Sequence, residues 1–240
     1  KAVFNSQDFW NILRNTLFIS MLKIITGFPV PIILALMLNE IKGKYFKKIT
    51  QTVLYMPHFV SWVVIGGIML TILSPDYSIV GELLKKVSGK SINMLADRKW
   101  FIPIVAISSI WKEAGWGMII YLASLTQVDP SLYDAAYIDG ASKWKRILHV
   151  TLPSIASVIV LMFILKTGTI LDAGFEQIMV LQNPIVMDSE IFDTYVFRVG
   201  LGKGNYSFTA AVDFFKSVVA LVMVVSANFL AKKIGEEGLM

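Results

Sequence analysis

The sequence predicts an all-α, polytopic membrane protein with five transmembrane helices and one short helix that cannot cross a bilayer. Three observations predict it. Of the 240 residues, 55% are hydrophobic and only 16% charged, against about 25% charged in an ordinary soluble domain. The mean hydropathy is +0.65. Apolar runs recur at lengths of about 20 residues or more, enough to cross a hydrocarbon core of roughly 30 Å. These runs are too continuous for the alternating strands of an outer-membrane barrel, and a segment in lipid must satisfy its own N–H and C=O groups, which leaves the helix. Composition also excludes some chemistry. There is no cysteine, hence no disulfide or thiolate, and no GxxxxGK[ST] loop occurs to cradle a nucleotide. The net charge of +5 would suit nucleic acid, but the basic residues sit mostly in short segments between apolar runs, where membrane topology explains them, and no nucleic acid is expected.

Taken in order, the chain opens on Lys1, and "KAVFNSQDFWNILRN" lacks the basic, apolar and small-residue order of a signal peptide. It reads as starting inside a longer protein. Spans are expected at residues 16–39, 53–73, 100–125, 152–171 and 208–230. An odd count puts the two ends of the chain on opposite sides. Pro29 and Pro31 predict a kink in the first span, serving as a gate or as packing. Lys and Arg tally nine on each face, so the raw count does not orient the chain. Short loops near span ends weigh most, and "KGKYFKK" packs four lysines into seven residues, which places that face in the cytoplasm. Residues 126–151 then lie inside as well. Residues 74–99 and 172–207 face outward, the second as a structured loop whose "QNP" and "GLGKGN" read as turn chemistry rather than helix.

The short helix is the feature that breaks the apolar pattern. Asp129 followed by Pro130 reads as an N-cap with proline at the first helical position, and Gly140 about three turns on reads as the stop. At 1.5 Å per residue, 130–139 measures roughly 15 Å, half of a span, and Asp134 and Asp139 would be costly in hydrocarbon. It therefore belongs at or beyond the membrane surface. Ala135, Ala136 and Ala141 let a partner surface approach the backbone, and the two Asp offer charged acceptors. Lys143, Lys145 and Arg146 would hold the following stretch at the headgroups. On spacing alone, a solvated amphipathic loop helix, common in any membrane protein, is the favoured reading.

"DAAYIDGASKWKRILHVTLP", residues 134–153, resembles the EAA loop of ABC importer permeases, with Asp134-Ala135-Ala136, Asp139-Gly140-Ala141, Val150 and Leu152-Pro153 on the pattern's places. Asp134 stands where the family usually has Glu. "FPVPIILALMLNEI", "YMPHFVSWVV" and "WKEAGWGMIIYLASL" are similar to permease subunits of oligosaccharide and polysaccharide uptake systems, the maltose-permease-like division. The resemblance implies a six-helix core lacking its first helix here, in a single transmembrane domain of the cell membrane. It also implies a homologous second permease subunit, two ATPase subunits, and an extracellular solute-binding protein that donates an oligosaccharide. ATP and Mg would belong to the ATPases, with no cofactor, metal or covalent chemistry in this chain. Asp134, Ala135, Ala136, Asp139, Gly140, Ala141, Leu152 and Pro153 would form the ATPase-coupling element.

Ionisable residues inside spans mark the candidate pathway. Lys112 and Glu113 fall near the middle of the third span, Lys166 in the fourth, Lys216 in the fifth and Lys23 in the first. Lys23, about 10 Å deep, is expected to snorkel outward. Lys216 has Asp213 three residues earlier as a partner on the same face. Lys112 and Glu113 point about 100° apart and should not readily neutralise each other, so at least one is expected in a polar cavity. Trp111 and Trp116 flank them, offering the flat faces a sugar ring packs on, or merely packing. Tyr121, nearer the cytoplasm, is a weaker candidate. Four Lys against Glu113, Asp213 and Asp172 leave one positive charge in surplus, which suggests acidic saccharides. His58 reads as a helix-packing donor and, with His149 the only other histidine, no metal site is expected. The rivals are an ABC permease for a non-sugar solute, a membrane-embedded enzyme using Lys112 and Glu113, and a secondary transporter with Glu113 as proton site.

Overall fold

The computed structural model describes residues 7–73, 79–89, 93–235 and 238. Among these the regular structure is helical, with no strand. The helices are α1 (Gln7–Gly27), α2 (Pro29–Asn39), α3 (Lys44–Tyr55), α4 (Trp62–Ile72), α5 (Ile79–Ser88), α6 (Arg98–Leu125), α7 (Pro130–Ile138), α8 (Lys143–Arg146), α9 (Leu152–Ser154), α10 (Ala156–Gly168), α11 (Phe175–Leu181), α12 (Phe192–Lys203) and α13 (Tyr206–Ile234).

Two helical runs are long and apolar enough to cross a membrane outright, Phe9–Asn39 and Tyr206–Ile234. Counting two interrupted pairs, α3 with α4 and α8–α9 with α10, as one span each brings the total to four. Length and composition alone thus account for two to four of the five expected spans among the described residues. α6 has 28 residues, enough length to cross, but Lys112 and Glu113 dilute its apolar character. The predicted proline kink is mild. Pro29 and Pro31 lack the N–H needed for the helical ladder, yet Phe28 keeps helical dihedrals of −64° and −41°, so α1 and α2 read as one run.

Two predicted spans are not continuous helices. Within 53–73, Pro57 sits in a 3₁₀ turn, Met56–Phe59, and Ser61 opens a new helix, its hydroxyl accepting from the Val64 N–H. Within 152–171, Ile155 leaves the helical region at φ −110° and the flanking helices bend by 63°. Helix also reaches back to Lys143, where a loop was expected. A wide π turn, Ile147–Thr151, lets the Leu152 N–H reach back to Ile147 O before Pro153, which has no donor. The expected turn segment 172–207 is largely helical too. α12 runs through Gly200 to Lys203 and stops only at Gly204, whose φ is +66°, a value glycine adopts without steric cost.

The chain forms two compact units. The first comprises Lys1–Ile25, Phe59–Ile110 and Thr169–Ala220, around a core of Ile19, Phe101, Val105, Ile178, Leu181 and Ile191. Polar groups wire it internally. Gln177, 1% exposed, donates from its amide to Val105 O at 2.7 Å and Ser108 Oγ at 2.8 Å. Thr16 Oγ1 accepts from the Phe192 N–H at 3.0 Å, and Arg198 grips Glu190 bidentately at 2.7 and 2.8 Å. Such satisfied groups stand in for water in an apolar medium. The second unit comprises Thr26–His58, Trp111–Gly168 and Leu221–Met240, cored by Ala35, Leu38, Met118, Tyr121, Leu125 and Ile155.

Candidate functional site

α7 is closed at both ends. The Asp129 carboxylate accepts the Ser131 N–H at 2.9 Å, and this bond holds its carboxyl below the usual carboxylate range. Pro130 occupies the first helical position, where its missing donor is not needed. At the other end Gly140 turns left-handed at φ +70°. Its N–H donates to Tyr137 O at 3.0 Å while the Ala141 N–H donates to Ala136 O at 2.9 Å, the two bonds of a Schellman stop. The helix ends at Ile138 with Asp139 as cap, within a residue of the sequence expectation. One contact ties α7, and one the α8 segment after it, to the same unit. Tyr133 donates its hydroxyl proton to Thr151 Oγ1 at 3.1 Å, joining α7 to the π turn, and Lys143 meets Glu40 at 3.0 Å.

Asp134, Ala135, Asp139 and Gly140 are exposed, Ala136 and Ala141 half-buried, and the Leu152-Pro153 pair lies past the π turn with Leu152 half-buried and Pro153 exposed. Sequence reasoning dwelt on the small and acidic residues and passed over the apolar ones. Tyr137 is 74% and Ile138 83% exposed, with Trp144 and Leu148 also open. Together they give this otherwise polar segment an open apolar edge. Their signal in the sequence was weak, because a tyrosine and an isoleucine in a nine-residue helix read as ordinary core.

The second candidate site gathers Lys112, Glu113 and Trp116 around His58. Lys112, 6% exposed, donates to His58 O at 2.5 Å and lies 3.8 Å from Glu113. Glu113 Oε2 is 2.9 Å from His58 Nδ1, and the His58 ring stacks on Trp116 with centroids 4.7 Å apart and planes within 5°. One expectation changes: the neighbours do approach, because a lysine stem is long enough to bend toward the adjacent carboxylate despite the 100° offset. His58 is the packing donor expected, its ring bonded to Glu113, and is also the hub, since the 3₁₀ turn around Pro57 presents both its ring and its carbonyl to α6. The open faces belong to Glu113, Trp111 and Trp116, whereas Tyr121 is buried in the core. Lys166 is exposed in the last turn of α10.

Lys216 and Lys23 belong to the first unit and do not join that cluster. Lys216 pairs not with Asp213 but with Asp172 at 2.8 Å and with Asp193 in a shorter contact. Its long side chain reaches other elements more easily than a carboxylate one turn back. Lys23 does not snorkel. Its ammonium donates to Ala173 O and Gln177 Oε1, both at 2.6 Å, beside Gly174, whose φ of +97° turns the chain there. Lys216→Met is expected to lower stability by about 1–3 kcal/mol, because Asp193, only 20% exposed, would lose its charged hydrogen-bond donor. Thermal unfolding of the detergent-solubilised protein reads this, and adding Asp193→Asn should recover part of the loss.

Residues 27–235 match the family described as binding-protein-dependent transport system inner membrane component. A Bacillus subtilis (strain 168) polygalacturonan/rhamnogalacturonan transport system permease protein, YteP, is 46% identical over 99% of this chain and 74% of its own. Protein LplB of the same organism is 42% identical over 100% of this chain and 76% of its own. A chain in the crystal structure of a bacterial alginate ABC transporter, in complex with an alginate pentasaccharide-bound periplasmic protein, superposes with a TM-score of 0.94 at 39% identity. It covers 99% of this chain and 83% of that one.

Proposed function

We propose a working mechanism from the premise that this chain belongs to the binding-protein-dependent transport system inner membrane component family. It is a permease subunit of an ABC importer of sugars or polysaccharides, a membrane protein that acts with a second permease subunit, ATPases and a solute-binding protein. ATPase activity lies with the partner chains. In our reading the chain forms one transmembrane domain with five crossings: α1–α2, α3–α4, α6, α8–α10 and α13. α6 can be counted because Lys112 and Glu113 are engaged with His58 and each other, which lowers the cost of carrying them in lipid.

The coupling step runs through Asp134, Ala135, Ala136, Asp139, Gly140 and Ala141. ATP, bound with Mg on the partner ATPases, would close them around α7. The capped helix would move as a rod, and the Tyr133–Thr151 bond and the helical run Lys143–Ser154 would carry the displacement into α10, where Leu152 and Pro153 sit at the bend. This is a rigid-body switch, and moving a two-state equilibrium from 1:99 to 99:1 takes about 5.5 kcal/mol of differential binding. A frayed helix would dissipate such a displacement. The observation that carries the reading is therefore the closure of α7 at both ends beside an exposed Tyr137–Ile138 edge.

The cargo we infer is an acidic oligosaccharide passing Trp111, Glu113 and Trp116, with Lys112 and Lys166 as the cations of the same unit; Lys216, held by Asp172 and Asp193 in the other unit, drops out of the path. Support comes from the relatives named for polygalacturonan and alginate. The cation surplus counted in the sequence supports it less, because Lys23 and Lys216 are engaged by carbonyl and carboxylate groups. Tyr121, being buried, drops out of the path. The test is ATP-driven accumulation of matched uronic-acid and neutral oligosaccharides by the complete complex in proteoliposomes. Uptake that needs ATP and favours the uronic acid is expected. Equal uptake of both sugars would sink the acidic assignment alone, and accumulation that follows a proton gradient without ATP would sink the coupling scheme.

A further inference from the structure

The approach to α3 and its first turns hold Lys42, Lys44, Lys47 and Lys48, and no Asp or Glu occurs between Glu40 and Asp76. Glu40 itself is taken by Lys143. Four cations in seven residues thus lack a local carboxylate to offset them. The same helix leaves an apolar stripe open: Tyr45, Phe46, Ile49, Val53 and, in the following turn, Met56 are all more than half exposed. Their spacing keeps them on one side of the helix, while the side bearing Leu54 packs against Gly115 of α6. Lys44 and Lys48, one turn apart and both exposed, border the stripe.

We infer that this surface binds the headgroup phosphates of anionic phospholipids. Three features favour a lipid over a protein partner. Within a helix pair that together is apolar enough to form a span, the stripe runs the length of α3 to Met56. Its upper part carries a tyrosine and a phenylalanine at the level of the lysines, the arrangement that sits between acyl chains and headgroups. Lysine stems lie along apolar surface while their ammonium groups reach phosphate. The bound lipid would anchor the first turn of α3 at the inner leaflet, close in sequence to the Glu40–Lys143 contact beside the coupling segment. The assignment rests on the membrane location of the chain and is independent of which saccharide it carries.

The experiment uses the complete complex in nanodiscs of mixed phosphatidylcholine and phosphatidylglycerol, with native mass spectrometry counting retained lipids. Preferential retention of phosphatidylglycerol is expected. Each near-surface lysine is worth about fivefold in binding an anionic membrane, so K42Q/K44Q/K48Q should weaken that retention on the order of a hundredfold. The charge-preserving K42R/K44R/K48R should keep it, and soluble glycerol phosphate should not displace the lipid. Unchanged phosphatidylglycerol retention in the glutamine variant would overturn the proposal. So would loss of the ATPase subunits from that variant with lipid retention intact, which would give the surface to a protein partner.

Discussion

Gly115→Ala is expected to be among the most disruptive single-methyl substitutions in this chain. A Cβ at Gly115 would lie 1.9 Å from the backbone oxygen of Leu54 and 2.8 Å from the Tyr55 nitrogen. Neither atom can yield by a rotamer change, so α3 and α6 would have to separate. Close backbone approach over a small residue is how membrane helices gain packing contacts, and overpacking a fitted contact costs about 1–3 kcal/mol, occasionally more. Here the upper end or beyond is expected, because the obstacle is main chain. The separation would also pull the His58 ring and carbonyl from Lys112, Glu113 and Trp116, so tryptophan fluorescence should change along with the melting temperature. Two other glycines calibrate the result. At Gly117 a Cβ would come 3.2 Å from the Pro31 ring, and Gly117→Ala should cost less. At Gly67 nothing lies within 4 Å, and Gly67→Ala should be neutral. Equal melting temperatures for all three variants would mean that the α3–α6 contact is not as tight as described.

The helical class was legible because long apolar runs leave few alternatives in lipid. What stayed hidden were the breaks. "YMPHFVSWVV" reads as a continuous apolar run, and only hydrogen-bond accounting shows that Pro57 and Ser61 end one helix and start another. The same holds at Ile155, where the bend follows a proline that a span-opening position would have tolerated. Local rules succeeded at α7, since capping depends on residues within one turn. They failed for Lys23 and Lys216, whose partners Ala173, Gln177, Asp172 and Asp193 lie far along the sequence or beyond a turn. Pairing by nearness in sequence chose Asp213 for Lys216, although a long side chain selects among elements rather than along its own. Gln177 carried no signal at all. A glutamine in an apolar loop helix looks accidental until Lys23, Val105 and Ser108 are seen around it.

The coupling role proposed for α7 yields the prediction with the largest effect on transport. Ile138→Asp should leave the chain's own stability nearly unchanged, because the side chain is 83% exposed and touches little of the molecule. If α7 seats in an ATPase groove, the same substitution places a charge in an apolar contact, and losses at such central contacts reach about 2 kcal/mol or more, roughly thirtyfold in affinity. Gly140 tests the rod itself. A Cβ there would meet nothing within 4 Å, so any effect of substitution is conformational and arises from the positive φ. Gly140→Asn should largely preserve coupling, since asparagine tolerates the left-handed region. Gly140→Val, β-branched, should lose about 1–3 kcal/mol of the helix stop and with it the tight response of transport to ATP. Co-purification of the ATPases with each variant, alongside ATP-driven uptake, separates the two effects: Ile138→Asp should lose the ATPases, whereas Gly140→Val should retain part of them yet transport poorly per ATP hydrolysed. Normal uptake by both Ile138→Asp and Gly140→Val would remove α7 from the coupling path, because one variant attacks its contact surface and the other its rigidity, and no third property of so short a helix is left to transmit force.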